Sequence, residues 1–465
     1  MRSVLLAFVG LATLAGTARA SELTLDEALR LAHINHPQLQ AAHAQTEVSA
    51  AKVGEARAPL LPQVTGSASY QLTTSNYVPS PGALPKNLAS STSTNTATST
   101  DTTTTTASTT STSTGTTTSK SSAPSSSWNL SPNYRANISA SQLIYDFGQS
   151  TGKLDAAKMA LRSQEQNERN FGVQVAFGVR SAYYTAAAAR ALVKVAEENL
   201  RNQDAHLKQI QGFVEAGTRP EIDLAQARTD HANARVQLIN AQVAYETDKA
   251  LLNQAVGIEQ GTDYDVAEPP VEAVPGEDDS TDALLPGAIQ ARPDLLALAR
   301  QVEAQELTTK SIKGAYAPSL GLSSVLSEGG TDLGALSWNW SATLGLTWQI
   351  FSGELTKQQL RESRANTAAL RAQYQLQRQQ VRADVEQARL GVRATKAAIE
   401  ATHEAAVNAR VRLTLAEGRY QAGVGNVIEL GDSQVALTSA AAQEVQAIYN
   451  LATARAKLRQ ALGQM

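Results

Sequence analysis

From Val179 to Val214 the apolar positions fall in steps of three and four: Val179, Ala182, Ala186, Ala189, Val193, Ala196, Leu200, Leu207, Ile210 and Val214, with Gln203 taking one core place. This heptad seam predicts a helix from Thr151 to Gly217, which no proline interrupts. At about 1.5 Å per residue such a helix is roughly 100 Å long, and it must lie against others. Its core residues are mostly Ala and Val, so the partner backbone comes close. The pattern returns 206 residues later as Val385, Ala388, Val392, Ile399, Ala406, Ala409, Leu413, Ala416 and Tyr420.

Shorter elements surround these rods. Thr24-Leu25-Asp26-Glu27 is a capping box that opens a short helix. Pro37 ends that helix and begins the next, which runs to about Leu61. At Gln63 the period changes to two, with Val64, Ala68, Tyr70 and Leu72 opposite Thr65, Ser67, Ser69 and Gln71, which predicts a strand over 63–72. Further strands are predicted at 133–145, 319–327 and 338–351. After the Gly217 turn, Pro220 starts a helix that reaches Gly257, and 258–281 is a connector rich in Pro and Gly.

The chain is a duplication. Asn35-His36-Pro37-Gln38-Leu39 matches Ala291-Arg292-Pro293-Asp294-Leu295 at an offset of 256. Ala216-Gly217 matches Ala422-Gly423, and Gln254-Ala255-Val256-Gly257 matches Gln460-Ala461-Leu462-Gly463, at an offset of 206. The difference of 50 residues is a net insertion between the two strands of repeat 1, where the Ser/Thr-rich tract lies. Repeat 1 is therefore 21–257 and repeat 2 is 282–465, with 73–127 expected as a disordered extracellular loop.

Composition narrows the function classes. The 465 residues carry a net charge near −3 and no cysteine, which removes disulfides, thiolate catalysis and Cys-bound metals, and gives no reason to expect nucleic acid. Arg2, the apolar run Val4 to Ala15 and Ala18-Arg19-Ala20 form a secretory signal over 1–20. His33, His36 and His43 fall near one helix face, but Pro37 divides them and no carboxylates support a metal site. No nucleophile–base constellation or phosphate loop is present, so neither catalysis nor a cofactor is expected.

The strands indicate a membrane. Trp338, Trp340, Ala342, Leu344, Leu346, Trp348 and Ile350 alternate with Asn339, Ser341, Thr343, Gly345, Thr347 and Gln349. Trp338 and Trp348 are separated by about 34 Å along a strand, or ~25 Å along the normal at a tilt near 45°, the height of an outer-membrane apolar band. The alternation would also suit a half-buried sheet in a soluble domain; the signal, the polar opposite face and the aromatic spacing favour lipid. Four strands cannot close a barrel, and open edges in lipid leave backbone groups unpaired, so copies must associate. The arithmetic leaves two copies and three equally open.

Leu23-Thr24-Leu25-Asp26-Glu27-Ala28, Pro37 and Pro293, Tyr145-Asp146-Phe147-Gly148, the two Ala-Gly turns and the duplicated order of helices and strands resemble the TolC-like outer-membrane efflux family. The resemblance covers about residues 22–465 apart from the insertion. It implies an α+β membrane protein: a homotrimer with a twelve-stranded outer-membrane β-barrel, four strands per chain, continued by a long periplasmic α-helical barrel. It implies as partners a periplasmic adaptor (membrane fusion) protein, an inner-membrane pump or secretion ATPase, and outer-membrane lipid. It also implies a gate at the periplasmic end, matched here by Glu429 and Asp432, with Asp223 as the first-repeat equivalent of Glu429. The arginine that the family often carries beside the second turn is replaced by Gly425, while Arg219 stands in the first turn, where a swapped Arg219–Glu429 pair becomes conceivable. Gly217, Thr218 and Pro220 with Gly423, Val424, Gly425 and Asn426 are the expected adaptor-docking tips, and Trp338, Trp340 and Trp348 the aromatic girdle. The expected function is passive export of small toxic molecules in a tripartite efflux system. Alternatives are a duct for type I protein secretion and, of another class, a non-conducting coiled-coil scaffold or surface adhesin.

Overall fold

The computed structural model describes residues 22–74, 130–259, 261–270 and 272–464. The signal at 1–20 lies outside these residues, as does the Ser/Thr-rich tract from residue 75 to 127; Thr73 and Thr74, expected in that loop, extend a strand instead. The chain divides into two units, one of helices (to Ala58, Phe147–Ala317, and from Gln349) and one of strands (Pro59–Asp146 and Pro318–Trp348).

The helical unit holds α1 (Leu25–Asn35), α2 (Pro37–Arg57), α3 (Gln149–Glu215), α4 (Glu221–Val256), α5 (Thr281–Ala291), α6 (Pro293–Gly314), α7 (Leu355–Gln421) and α8 (Val427–Ala461). The two rods, α3 and α7, are both 67 residues long. Their heptad seams are where the core forms: Val179, Ala186, Ala189, Ala196, Gln203 and Ile210 are buried on α3, and Val385, Ala388, Val392, Ala406, Leu413, Ala416 and Tyr420 on α7. Thr24 caps α1 by accepting from the Glu27 N–H at 3.3 Å, and the His36 ring accepts from the Gln38 N–H at 3.2 Å to start α2 at Pro37. His43 faces Glu168 at 3.1 Å, joining α2 to α3. The last turn before Leu61, expected as α-helix, tightens to a 3₁₀ turn over Ala58–Leu60.

Residues 258–281 do more than connect. They contain β4 (Asp265–Val266), which pairs in parallel with β1 (Glu22–Leu23). The fully buried Tyr183 hydroxyl sits 2.9 Å from the Leu23 carbonyl and 2.7 Å from that of Ala267, bracing both chain segments against α3. Asp265 accepts from Arg190 at 2.8 Å and from the Tyr245 hydroxyl at 2.7 Å. Further along, Glu277 is buried and takes a bidentate bond from Arg455 (2.8 and 2.7 Å) and an ion pair from Lys396 (2.7 Å). Burial alone would raise its pKa, but those bonds outweigh it and hold the carboxyl down at about 2.

The strand unit is a four-stranded antiparallel sheet in the order β2 (Gln63–Thr74), β3 (Leu130–Tyr145), β5 (Ser319–Gly330), β6 (Ser337–Thr347). β6 was expected to reach residue 351. It ends at Thr347 instead, because its partner β5 starts at Ser319, which pairs with Thr347 and leaves nothing to extend the ladder. β3 carries a register shift between Leu143 and Tyr145. Among the described residues no helix is long and apolar enough to cross a membrane.

Candidate functional site

Two places gather the residues singled out in the sequence, and the first is the sheet. Residues directly opposed across antiparallel strands share a face, so the register sorts the side chains. Gly66, Ile138, Leu326 and Trp340 form one row, and Ala68, Ala136, Glu328 and Trp338 another. The opposite face carries Ser67, Asn137, Ser327 and Asn339 in one row, and Gln63, Ser141, Ser323 and Thr343 in another. One face is thus mainly apolar, interrupted by Gln142, Ser324 and Glu328, and the other mainly hydroxyl- and amide-lined, interrupted by Arg135, Leu143 and Val325. Trp338 and Trp340 stand on the apolar face, 75% and 61% exposed, and the Trp340 indole donates to Ser324 Oγ at 3.0 Å. A contiguous exposed apolar face of this kind marks a surface built for lipid or a partner. Trp348 is also exposed but follows the last residue of β6, so the girdle spacing is not carried by one strand. Each of the outer strands, β2 and β6, has a neighbour on one side only among the described residues.

The second place is the pair of helix hairpins. α3 ends in a left-handed Gly217 (φ +70°), and the N–H and hydroxyl of Thr218 both donate to the Phe213 carbonyl at 2.9 Å. This closes the orphan carbonyls of the last turn. Pro220, extended at the N-cap, starts α4. α7 ends with Gly423 (φ +79°), and the N–H groups of Val424 and Gly425 both reach the Arg419 carbonyl, at 3.1 and 2.9 Å. Asn426 caps α8 by accepting from the Ile428 N–H at 3.2 Å. Gly425 is demanded by space rather than by φ: a Cβ there would lie 2.7 Å from the Tyr420 nitrogen. An arginine at this position would displace the turn.

The acidic residues separate. Glu429 accepts from Arg419 at 3.0 Å within its own hairpin, so the swapped pairing with Arg219 does not form in this chain. Arg219 lies over the Tyr420 ring instead, 4.4 Å from its centre, and donates to the Tyr420 carbonyl at 3.1 Å. The reason is reach: Tyr420 is 1% exposed, stacked at a tilt on Phe213, and offers its face and carbonyl where Arg219 emerges. Asp223 is buried beside them, whereas Asp432 is exposed and has no ion pair among the described residues. Burial, and then the Asp223 carboxylate, raise the pKa of the Tyr420 hydroxyl. Sequence reasoning placed Tyr420 only at the end of a heptad seam and left Arg419 out. The hint was a bulky aromatic closing a seam of small residues.

The geometry agrees with known proteins. The family model described as outer membrane efflux protein matches residues 28–258 and 284–464. The outer membrane efflux protein BepC of Brucella suis is 24% identical over 332 residues, 70% of this chain and 72% of that protein. The probable efflux pump outer membrane protein TtgC of Pseudomonas putida is 25% identical over 342 residues, 72% of this chain and 70% of that protein. Among solved structures, the CmeC outer membrane channel of Campylobacter jejuni superposes with a TM-score of 0.73 at 16% identity, covering 99% of this chain and 94% of that one. The chain has the two-repeat fold of these channels, resides in the outer membrane and is no enzyme: it belongs to the outer membrane efflux protein family.

Proposed function

We propose that the chain forms a homotrimeric, passive export duct that accepts small toxic molecules from a periplasmic adaptor and an inner-membrane pump. The carrying observation is the two-faced sheet with both edges unpaired among the described residues. An apolar face suits lipid and a Ser/Thr/Asn face suits a watery lumen, and lipid penalises every unpaired edge group by several kcal/mol. Three copies joined edge to edge close the sheet at twelve strands. Small-molecule cargo is supported by relatives, one described as a toluene efflux pump protein and another as a pyoverdine export protein. Energy comes from the pump in this reading.

The tips Gly217, Thr218, Pro220, Gly423, Val424, Gly425 and Asn426, all exposed but the half-buried Gly425, are the adaptor contacts in this reading, with Val424 71% exposed as an apolar anchor. Glu429 and Asp432, one turn apart on α8, bring six carboxylates around the threefold axis and favour cations. Asp223 and Arg219 hold the closed form from behind. Trp338, Trp340 and Trp348 sit at the lipid boundary. Purified protein in planar lipid bilayers should conduct, and Glu429→Ala with Asp432→Ala should weaken cation selectivity and block by divalent ions. Absence of any conductance would end the duct reading, and unchanged selectivity the acidic-ring reading.

A further inference from the structure

The helical unit contains a cavity of about 300 Å³ walled by α1, α3, α8 and the segment after β4. Arg180 of α3 lines it and is only 8% exposed, yet it makes no hydrogen bond or ion pair among the described residues. A buried guanidinium normally has its donors filled, because an unpaired buried charge is strongly unfavourable. Its cationic neighbours in the wall, Arg455 and Arg459, can only donate. Arg455 already spends its fork on Glu277, and Arg459 reaches Glu272 only at 3.7 Å. Burial first, and the like charge of Arg459 second, pull the Arg180 pKa down, so the two cations repel across the cavity.

The remaining polar groups show what would satisfy them. Tyr184 is buried in the same wall, and its hydroxyl makes no bond to protein among the described residues. The first turn of α1 (Thr24, Leu25, Asp26) forms another side and presents the positive end of the helix. Carboxylates line it as well: Asp26, Glu268 and Glu272 are exposed, and Asp26 acts on Arg180 only after burial, Arg459 and Tyr184. Arg180 and Tyr184 therefore line the cavity with donors that no protein acceptor takes up among the described residues.

We propose that this cavity is a binding site for a small oxyanion of the phosphate or sulfate type, held by the guanidinium groups of Arg180 and Arg459 and the hydroxyl of Tyr184. A tetrahedral oxyanion offers the several acceptor oxygens that two guanidinium forks and a hydroxyl require. Bound there, it ties α1, α3 and α8 together, so its presence should register as stability of the helical unit.

The test is titration of the full-length protein in detergent with inorganic phosphate, and separately sulfate, against sodium chloride of matched ionic strength. Calorimetric heat and the thermal unfolding midpoint are both followed. Saturable binding is expected, with a rise in midpoint that chloride does not reproduce. Arg180→Gln should abolish that rise while leaving the anion-free protein no less stable than the parent, since it removes an unpaired buried charge. Arg459→Gln, on a more exposed residue, should weaken binding roughly 10- to 100-fold, the loss for one charged hydrogen-bonding partner, and serves should Arg180→Gln not fold. No saturable binding, or an undiminished phosphate response in either folded variant, overturns the proposal. Conductance is not a readout, so this result stands or falls apart from the export reading.

Discussion

The Arg219 guanidinium, in the first hairpin, lies 4.4 Å from the centre of the Tyr420 ring at the end of α7 and donates to the Tyr420 carbonyl at 3.1 Å. This links the two hairpins of one chain. A cation over an aromatic face contributes about 0.5–2 kcal/mol, and a charged hydrogen bond about 1.5–3 kcal/mol. If the hairpins gate the proposed duct, Arg219→Ala should loosen them and raise single-channel conductance severalfold in planar bilayers. Arg219→Lys should restore it only partly, since an ammonium cannot stack and donate as a planar fork does. Conductance equal to that of the parent in Arg219→Ala would show that the contact does not hold the closed form.

Gly425 makes a sharper steric prediction. A Cβ at that position would stand 2.7 Å from the Tyr420 nitrogen and 2.9 Å from the Arg419 carbonyl carbon, both backbone atoms that cannot yield cheaply. Gly425→Ala should lower stability by about 1–3 kcal/mol, as overpacking does. Gly423→Ala, where φ is +79° but space is open, should cost about 1–2 kcal/mol through left-handed strain alone. Thermal unfolding midpoints compare the two. Only Gly425→Ala should also disturb the Tyr420 contact, read as altered conductance.

Glu277 predicts an acid-labile joint. Its folded pKa is held down at about 2 by Arg455 and Lys396, below the value near 4.5 of a free glutamate. The folded state therefore binds the proton less readily than the unfolded one. The stabilisation is fully present above about pH 4.5 and is lost as pH falls through that value towards about 2. Glu277→Gln should destabilise the protein by about 3 kcal/mol at pH 7, leaving two cations facing an uncharged group. It should also flatten the stability profile between pH 5 and pH 3, which chemical denaturation across that range would detect (about 1.4 kcal/mol per pKa unit).

The two faces of the sheet can be told apart by one charge. Leu344 is on the Trp340 face and 66% exposed, while its neighbour Thr343 points the other way beside Ser323. Leu344→Arg should impair insertion into lipid vesicles at a cost of about 2–4 kcal/mol near the bilayer centre. Thr343→Arg should insert normally and shift ion selectivity towards anions. Equal insertion of the two variants would remove the assignment of faces.

Much of this was written in local pattern. The seam at Val179, Ala186 and Ile210 settled α3 because burial on a helix repeats every three to four residues, and the duplicated Pro37 and Pro293 placed both entering helices. Strand alternation gave the lipid and lumen faces, since neighbouring side chains must point oppositely. The expected end of β6 at residue 351 lies past Thr347 because alternation continues beyond the last residue that has a partner. At the hairpins, the glycines were legible but the pairings were not. Glu429 takes Arg419 from ten positions away, and Arg219 takes Tyr420 from across the bundle, choices that depend on which side chain stands where after packing.

By itself, then, the amino-acid order determined the elements, their duplication and the two-faced strands, all of which follow from periods of a few residues. Only the tertiary structure decided the long-range partners. It brought Glu22 and Leu23 beside Asp265 and Val266, and buried Glu277 between Arg455 and Lys396. Each joins residues far apart in the chain, where no periodicity reaches. What selects them is the cost of leaving a polar group or charge unpaired once water is excluded.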